Sequence, residues 1–218
     1  MSPAAPELYL ITDRQATGGR PLLEVLAAAL APLDQFRMPD GRLPVAVQLR
    51  EKDLPAAELT LLARDVRSLT KKVGAELFIN DRLDVALACG ADGVHLPVEA
   101  IAPMDVRTVA SELRIACSTH TPDEVAAAAR AGADFVVFGP ILETPSKRGV
   151  LSPRGFESLA AVIAFGIPVV ALGGLSAAHA ADCRRAGAAG VACIRAVLAA
   201  PNPGSASVAF LAHSRTRK

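Results

Sequence analysis

Apolar runs of four to six residues, rich in Val, Ile, Leu and Phe, alternate along the chain with longer Ala/Leu/Arg/Glu stretches of helical period. That alternation predicts repeated strand–helix units and a parallel sheet. Eight strands are read, at Leu8–Ile11, Val45–Leu49, Leu77–Ile79, Gly93–Leu96, Arg114–Cys117, Phe135–Phe138, Pro168–Leu172 and Gly190–Ile194. Each is followed by a stretch able to form a helix or a helical turn. Eight units in 218 residues fit an α/β fold of the single-domain (β/α)8 TIM-barrel type, with the doubly wound sheet as the rival architecture.

An internal echo favours the barrel. Cys89-Gly90-Ala91-Asp92-Gly93-Val94, Ala131-Gly132-Ala133-Asp134-Phe135-Val136 and Ala186-Gly187-Ala188-Ala189-Gly190-Val191 share one pattern: a glycine ends a helix, the chain turns, and a strand begins. Asp92 and Asp134 then sit at the base of the barrel and read as turn or capping residues. Thr121-Pro122-Asp123-Glu124 and Ser176 read as helix starts. No linker divides residues 1–218, so one domain is expected, with its core over 8–198 and a C-terminal tail over 201–218.

Composition narrows the function. One Tyr, seven Phe and no Trp leave the core to aliphatic residues, and 23 basic against 22 acidic side chains give no footprint for nucleic acid. No apolar run approaches the length of a membrane span. Four scattered cysteines without a C-x-x-C pair, and no recognisable signal peptide, lead to the expectation of a reducing, cytoplasmic setting. Assembly as a homo-oligomer stays open.

In a barrel the chemistry belongs at the C-terminal ends of the strands. There the chain places Gln48-Leu49-Arg50-Glu51-Lys52, Asn80-Asp81-Arg82, Ser118-Thr119-His120, the loop Glu143-Thr144-Pro145-Ser146-Lys147-Arg148, the pair Gly173-Gly174, and Arg195. Arg50, Lys52, Lys147, Arg148 and Arg195 face one well-placed carboxylate, Asp81. A local excess of cations in a nearly neutral chain points to small phosphorylated substrates. Gly173-Gly174 leaves backbone amides open to a phosphate, and Asn80-Asp81 beside phosphate oxygens suits Mg²⁺. His95 is equally a satisfied barrel histidine or a participant; His120 is read as facing substrate; His179 and His213 are read as surface groups. The Glu143–Gly155 loop is read as a lid that is mobile without ligand.

These motifs, with Leu8-Tyr9-Leu10-Ile11-Thr12-Asp13, Gly93-Val94-His95-Leu96 and Gly139-Pro140, resemble in order and register the thiamine phosphate synthase/TenI superfamily, from Leu8 to about Leu198. The resemblance implies a barrel enzyme of thiamine biosynthesis that joins hydroxymethylpyrimidine diphosphate to thiazole phosphate and releases pyrophosphate. It implies that Gln48, Arg50, Lys52, Asn80 and Lys147 hold the diphosphate and that Asp81 ligands Mg²⁺. Ser118 faces the pyrimidine, while Thr144, Ser146 and Gly174, beside Gly173, take the thiazole phosphate.

The chain departs from the pattern at three places. Pro97-Val98-Glu99-Ala100 replaces a Gly-Gln-Glu-Asp whose Asp is the second metal ligand, so Ala100 cannot bind and only Glu99 stands nearby. Arg195 replaces a small hydroxyl residue, and Glu143 stands where Pro is common. These changes resemble the TenI branch, in which a histidine placed like His120 serves a thiazole tautomerase; a non-catalytic phosphate-ligand binder is the third reading. The full diphosphate set favours the synthase.

Overall fold

The computed structural model describes residues 4–144 and 152–215. Eight parallel strands close into one barrel in sequence order: β1 (Leu8–Ile11), β2 (Val45–Leu49), β3 (Glu76–Asn80), β4 (Gly93–Leu96), β5 (Arg114–Thr119), β6 (Phe135–Phe138), β7 (Val169–Leu172) and β8 (Gly190–Cys193), with β8 pairing back onto β1. The doubly wound alternative is thereby excluded. Around the barrel run α1 (Leu22–Leu30), α2 (Ala56–Val73), α3 (Leu83–Cys89), α4 (Pro103–Val109), α5 (Pro122–Arg130), α6 (Gly155–Ile163), α7 (Ala180–Arg185), α8 (Arg195–Leu198) and α9 (Pro203–Arg215).

Two apolar layers follow from the period-two alternation of the strands. Leu8, Leu10, Val47, Leu77, Ile79, Val94, Ile115 and Val136 point outward into the helices, whose own apolar stripes meet them. Alpha2 shows the stripe plainly, burying Leu59, Ala63, Val66 and Thr70 at helical spacing before Gly74, at φ 75°, ends it in the left-handed region. Tyr9, Ile11, Ala46, Phe78, Ala116, Phe135, Val137, Val170 and Ala192 fill the lumen. Tyr9, Phe78 and Phe135 pack edge to face with ring centroids 5.4–5.7 Å apart, and the Arg114 guanidinium lies over both phenylalanines while paired with Glu76 at 2.6 Å. The lower barrel is thus plugged, leaving the opposite end for a ligand.

The repeated glycine turns sit at the base, as the sequence implies. The Asp92 carboxylate accepts the Leu77 amide at 2.7 Å and pairs with Arg67 of α2; Asp134 repeats this with the Ile115 amide at 2.7 Å and Arg107 of α4. Each aspartate fastens a helix to two strands and takes no part at the mouth. Thr121 caps α5 through the Glu124 amide, with Pro122 at the first helical position.

The strands depart from the sequence reading at their ends. Beta3 runs on through Asn80 and β5 through Thr119, because Asn80 pairs with His95 and Ser118 with Val137 across the ladder. The segment read as a tail folds instead as α9, packed on α1 and α7. The lid expected over Glu143–Gly155 falls largely on residues 145–151, which lie outside the described residues.

Candidate active site at the C-terminal mouth

Alternation places a polar tier directly above the lumen plug. Two residues beyond Ala46, Phe78 and Ala116 stand Gln48, Asn80 and Ser118, and His95 is paired beside Asn80 on β4. Gln48 is buried and donates through Nε2 to Asn80 Oδ1 at 3.0 Å. His95, also buried, spans Tyr9 and Ser118: its Nδ1 lies 3.1 Å from the Tyr9 hydroxyl and its Nε2 2.8 Å from Ser118 Oγ. Burial lowers the imidazole pKa to about 3, with the Arg50 guanidinium pushing the same way, so the ring is neutral. It therefore supplies hydrogen bonds and no charge.

The rim carries the charges. Arg50 leaves the end of β2 half-buried, its amide held by Thr12 Oγ1 at 2.9 Å, and Lys52 stands exposed beyond it. Among the described residues neither has a carboxylate within ion-pair distance, whereas Arg14, Arg42, Arg67, Arg82, Arg107 and Arg114 are each so paired. Glu51, between the two cations, is buried and turned away to receive the Arg14 amide and side chain, fastening the loop after β1. A three-residue charge run is thus sorted by the fold: two cations stand at the exit of β2 without a carboxylate partner among the described residues, and the carboxylate braces a loop.

Asp81 follows β3 at φ 64°, the described non-glycine residue in the left-handed region, with its amide donating to the His95 carbonyl at 2.8 Å. A non-glycine residue held in the left-handed region, with an exposed carboxylate at the exit of a strand next to the one that carries Arg50, is a common feature of working sites. Glu99 is exposed in a turn closed by Ala100 N to Pro97 O at 3.0 Å, and among the described residues no three His, Cys, Asp or Glu side chains gather as a metal group. Asp81 is the exposed carboxylate at the exit of β3 and would be the donor offered to an ion there. Because Mg²⁺ keeps waters and phosphate oxygens and requires one or two carboxylates, that donor set fits it.

The opposite side of the mouth is backbone. Gly173 and Gly174 adopt φ of 107° and 67° after β7, and a Cβ on Gly174 would lie 2.5 Å from the Glu143 carbonyl, so the two loops approach as closely as glycine permits. Thr144 lies in the loop beyond Glu143, and Arg195 is the exposed first residue of α8. His120 braces this rim, its amide donating to Glu124 and its Nδ1 to the Gly139 carbonyl at 2.5 Å. His213 is exposed as expected, while His179 is half-buried and bonds back to Ser176. Ser146 and Lys147 lie outside the described residues.

The sequence did not single out Tyr9, which supports His95 from β1, 86 positions away. Period two in Gly93-Val94-His95-Leu96, set against Ala116 and Ser118 on β5, is the signal that would have found the His95–Ser118 contact.

The thiamine monophosphate synthase family model matches residues 8–197. The chain belongs to that family. A thiamine-phosphate synthase of Roseiflexus sp. is 41% identical over 93% of this chain and 83% of its own length, and one of Moorella thermoacetica is 41% identical over 92% of each. The solved thiamine phosphate pyrophosphorylase of Pyrococcus furiosus superposes with a TM-score of 0.82 at 31% identity, covering 95% of both chains. The family and the barrel expected from the motifs are both borne out, as is an enzyme of the transferase type.

Proposed function

We propose that this enzyme condenses hydroxymethylpyrimidine diphosphate with thiazole phosphate, yielding thiamine phosphate and pyrophosphate, and that it works in the cytoplasm on these small phosphorylated molecules. The observation that carries the reading is that Arg50 and Lys52, cations without a carboxylate partner among the described residues, and the left-handed Asp81 stand at the exits of neighbouring strands. In the reaction the bond between the pyrimidine methylene carbon and the diphosphate oxygen breaks, its electron pair leaving with pyrophosphate. The thiazole nitrogen then supplies the pair for the new carbon–nitrogen bond. No protein nucleophile is needed, so catalysis consists of placement and stabilisation of the charge that develops on the leaving group.

Arg50 and Lys52 meet that charge, joined by Asn80, which Gln48 holds in place through its side-chain amide. Lys147 has the same role by its position in the sequence. Asp81 would hold Mg²⁺ together with the diphosphate oxygens, and the ion would supply further neutralisation of the leaving group. Ser118 orients the pyrimidine ring. The thiazole phosphate is placed against Gly173 and Gly174, with Thr144 and Arg195 around it, and Ser146 is given the same role by its position in the sequence.

The test is turnover of the purified protein with both substrates and Mg²⁺, reading pyrophosphate release and thiamine phosphate together. Lys52→Ala and Arg50→Ala should each lower kcat/KM by at least about a hundredfold, the size of losing a charged contact made chiefly in the transition state. Absence of thiamine phosphate from a folded preparation that isomerises thiazole carboxylate phosphate through His120 would overturn the reading.

A further inference from the structure

We infer that Tyr9 and His95 are positioning residues that fix the polarity of Ser118, making its hydroxyl an obligatory hydrogen-bond donor toward the mouth. The argument begins at the buried end of the chain. Tyr9 is fully buried, and among the described residues its hydroxyl has one hydrogen-bond partner, His95 Nδ1 at 3.1 Å. A phenol proton must go to an acceptor there, since an unmet buried donor costs about 1–3 kcal/mol. His95 Nδ1 is therefore the acceptor and carries no proton.

A neutral imidazole has one N–H, and with Nδ1 bare it resides on Nε2. Nε2 lies 2.8 Å from Ser118 Oγ, so the ring donates and the serine oxygen accepts. The Ser118 proton then cannot point at the ring. No second protein partner for Oγ is found among the described residues, and the half-buried Ser118 opens upward from the lumen tier. Its proton is offered to whatever occupies the mouth.

The opposite ordering, with Ser118 donating to Nε2 and Nδ1–H donating to Tyr9, would strand the phenol proton and leave Ser118 as an acceptor. The two orderings select different ligands: an acceptor such as an unprotonated ring nitrogen in the first, an N–H donor in the second. Resting on the function proposed above, the acceptor is a ring nitrogen of the aminopyrimidine. A chain that begins on β1 and passes through β4 thus sets a specificity element on β5.

The inference is tested first in the unsubstituted protein, with long-range ¹H–¹⁵N spectra of the histidine rings assigned through His95→Gln. Protonated Nε2 with bare Nδ1 is expected for His95; a protonated Nδ1 overturns the inference whatever the protein catalyses. The second arm is a double-mutant cycle on KM for hydroxymethylpyrimidine diphosphate. Ser118→Ala should raise KM about tenfold and Tyr9→Phe about three- to tenfold, the scale of one hydrogen bond. The two together should raise it no more than Ser118→Ala alone, because Tyr9 acts through the serine. KM for thiazole phosphate should not move in Tyr9→Phe, whereas general loosening of the barrel would change both. Additive effects overturn the inference. If the unsubstituted protein makes no thiamine phosphate, the proposed function falls, and the ring spectra still decide the polarity of Ser118.

Discussion

At the scale of a residue, Asp81 shows how a site holds a side chain against local preference. Aspartate tolerates the left-handed region better than most residues but still pays a conformational penalty there, and the hydrogen bond from its amide to the His95 carbonyl keeps it in place. Glycine would relieve the backbone and remove the carboxylate. Asp81→Gly should therefore leave the unfolding free energy unchanged or raise it by about 1 kcal/mol, the relief of strain being partly offset by the freer unfolded chain. Mg²⁺-dependent turnover should fall at least about a hundredfold in the same variant. Urea unfolding and a steady-state assay on one preparation read both quantities. A variant that loses stability and activity together would assign Asp81 to the framework.

Among the elements, the two base aspartates separate holding the barrel from working in it. Asp134 ties α4, through Arg107, to the start of β5 and stands at the entry to β6, with its carboxylate mostly buried. Asp134→Ala leaves the Ile115 amide without its acceptor and takes the carboxylate from Arg107, whose guanidinium keeps the Ser111, Leu113 and Gly132 carbonyls, and should cost about 1–3 kcal/mol. KM for both substrates should stay as it is, since the mouth lies at the other end of the strands; a denaturation midpoint beside a kinetic assay checks this. The base aspartates were legible because glycine, turn and strand recur in a fixed order. The ends of β3 and β5 were not, because Asn80 and Ser118 read as loop residues until a neighbouring strand supplies their backbone partners. Alpha9 was missed for a related reason. Pro201-Asn202-Pro203-Gly204-Ser205 has turn chemistry, yet Asn202 caps the helix through the Ser205 amide at 2.9 Å. Gly204 lies where a Cβ would come 2.8 Å from the Ala28 carbonyl of α1, so the glycine that resembles a breaker permits docking. The rim cations were visible in the sequence; that Glu51 turns away from Arg50 and Lys52 depends on Arg14, a contact made only once β1 and β2 are adjacent.

Across the whole molecule, the cysteines provide probes of how cooperatively the barrel opens. Cys117 on β5, Cys183 on α7 and Cys193 on β8 are buried, and Cys89 at the end of α3 is half-exposed; all four are free thiols. Burial pushes the Cys117 and Cys183 thiols up to about 12 and Cys193 higher still, while that of Cys89 is raised less. Because the thiolate is the reacting form, a group at about 12 is ionised to roughly one part in ten thousand at pH 8, and its reagent must also reach it. One thiol should therefore react promptly with an aromatic disulfide reagent at pH 8. The other three should react together, at a rate that follows global unfolding and rises steeply in moderate urea. The three sit on widely separated elements of a closed sheet, and closure leaves no edge strand from which the barrel can fray. Peptide mapping of the labelled cysteines during the time course identifies each one. If Cys183 on the outer helix reacts well before Cys117 and Cys193, the helical shell opens independently of the barrel; a common rate shows that shell and sheet unfold as one unit.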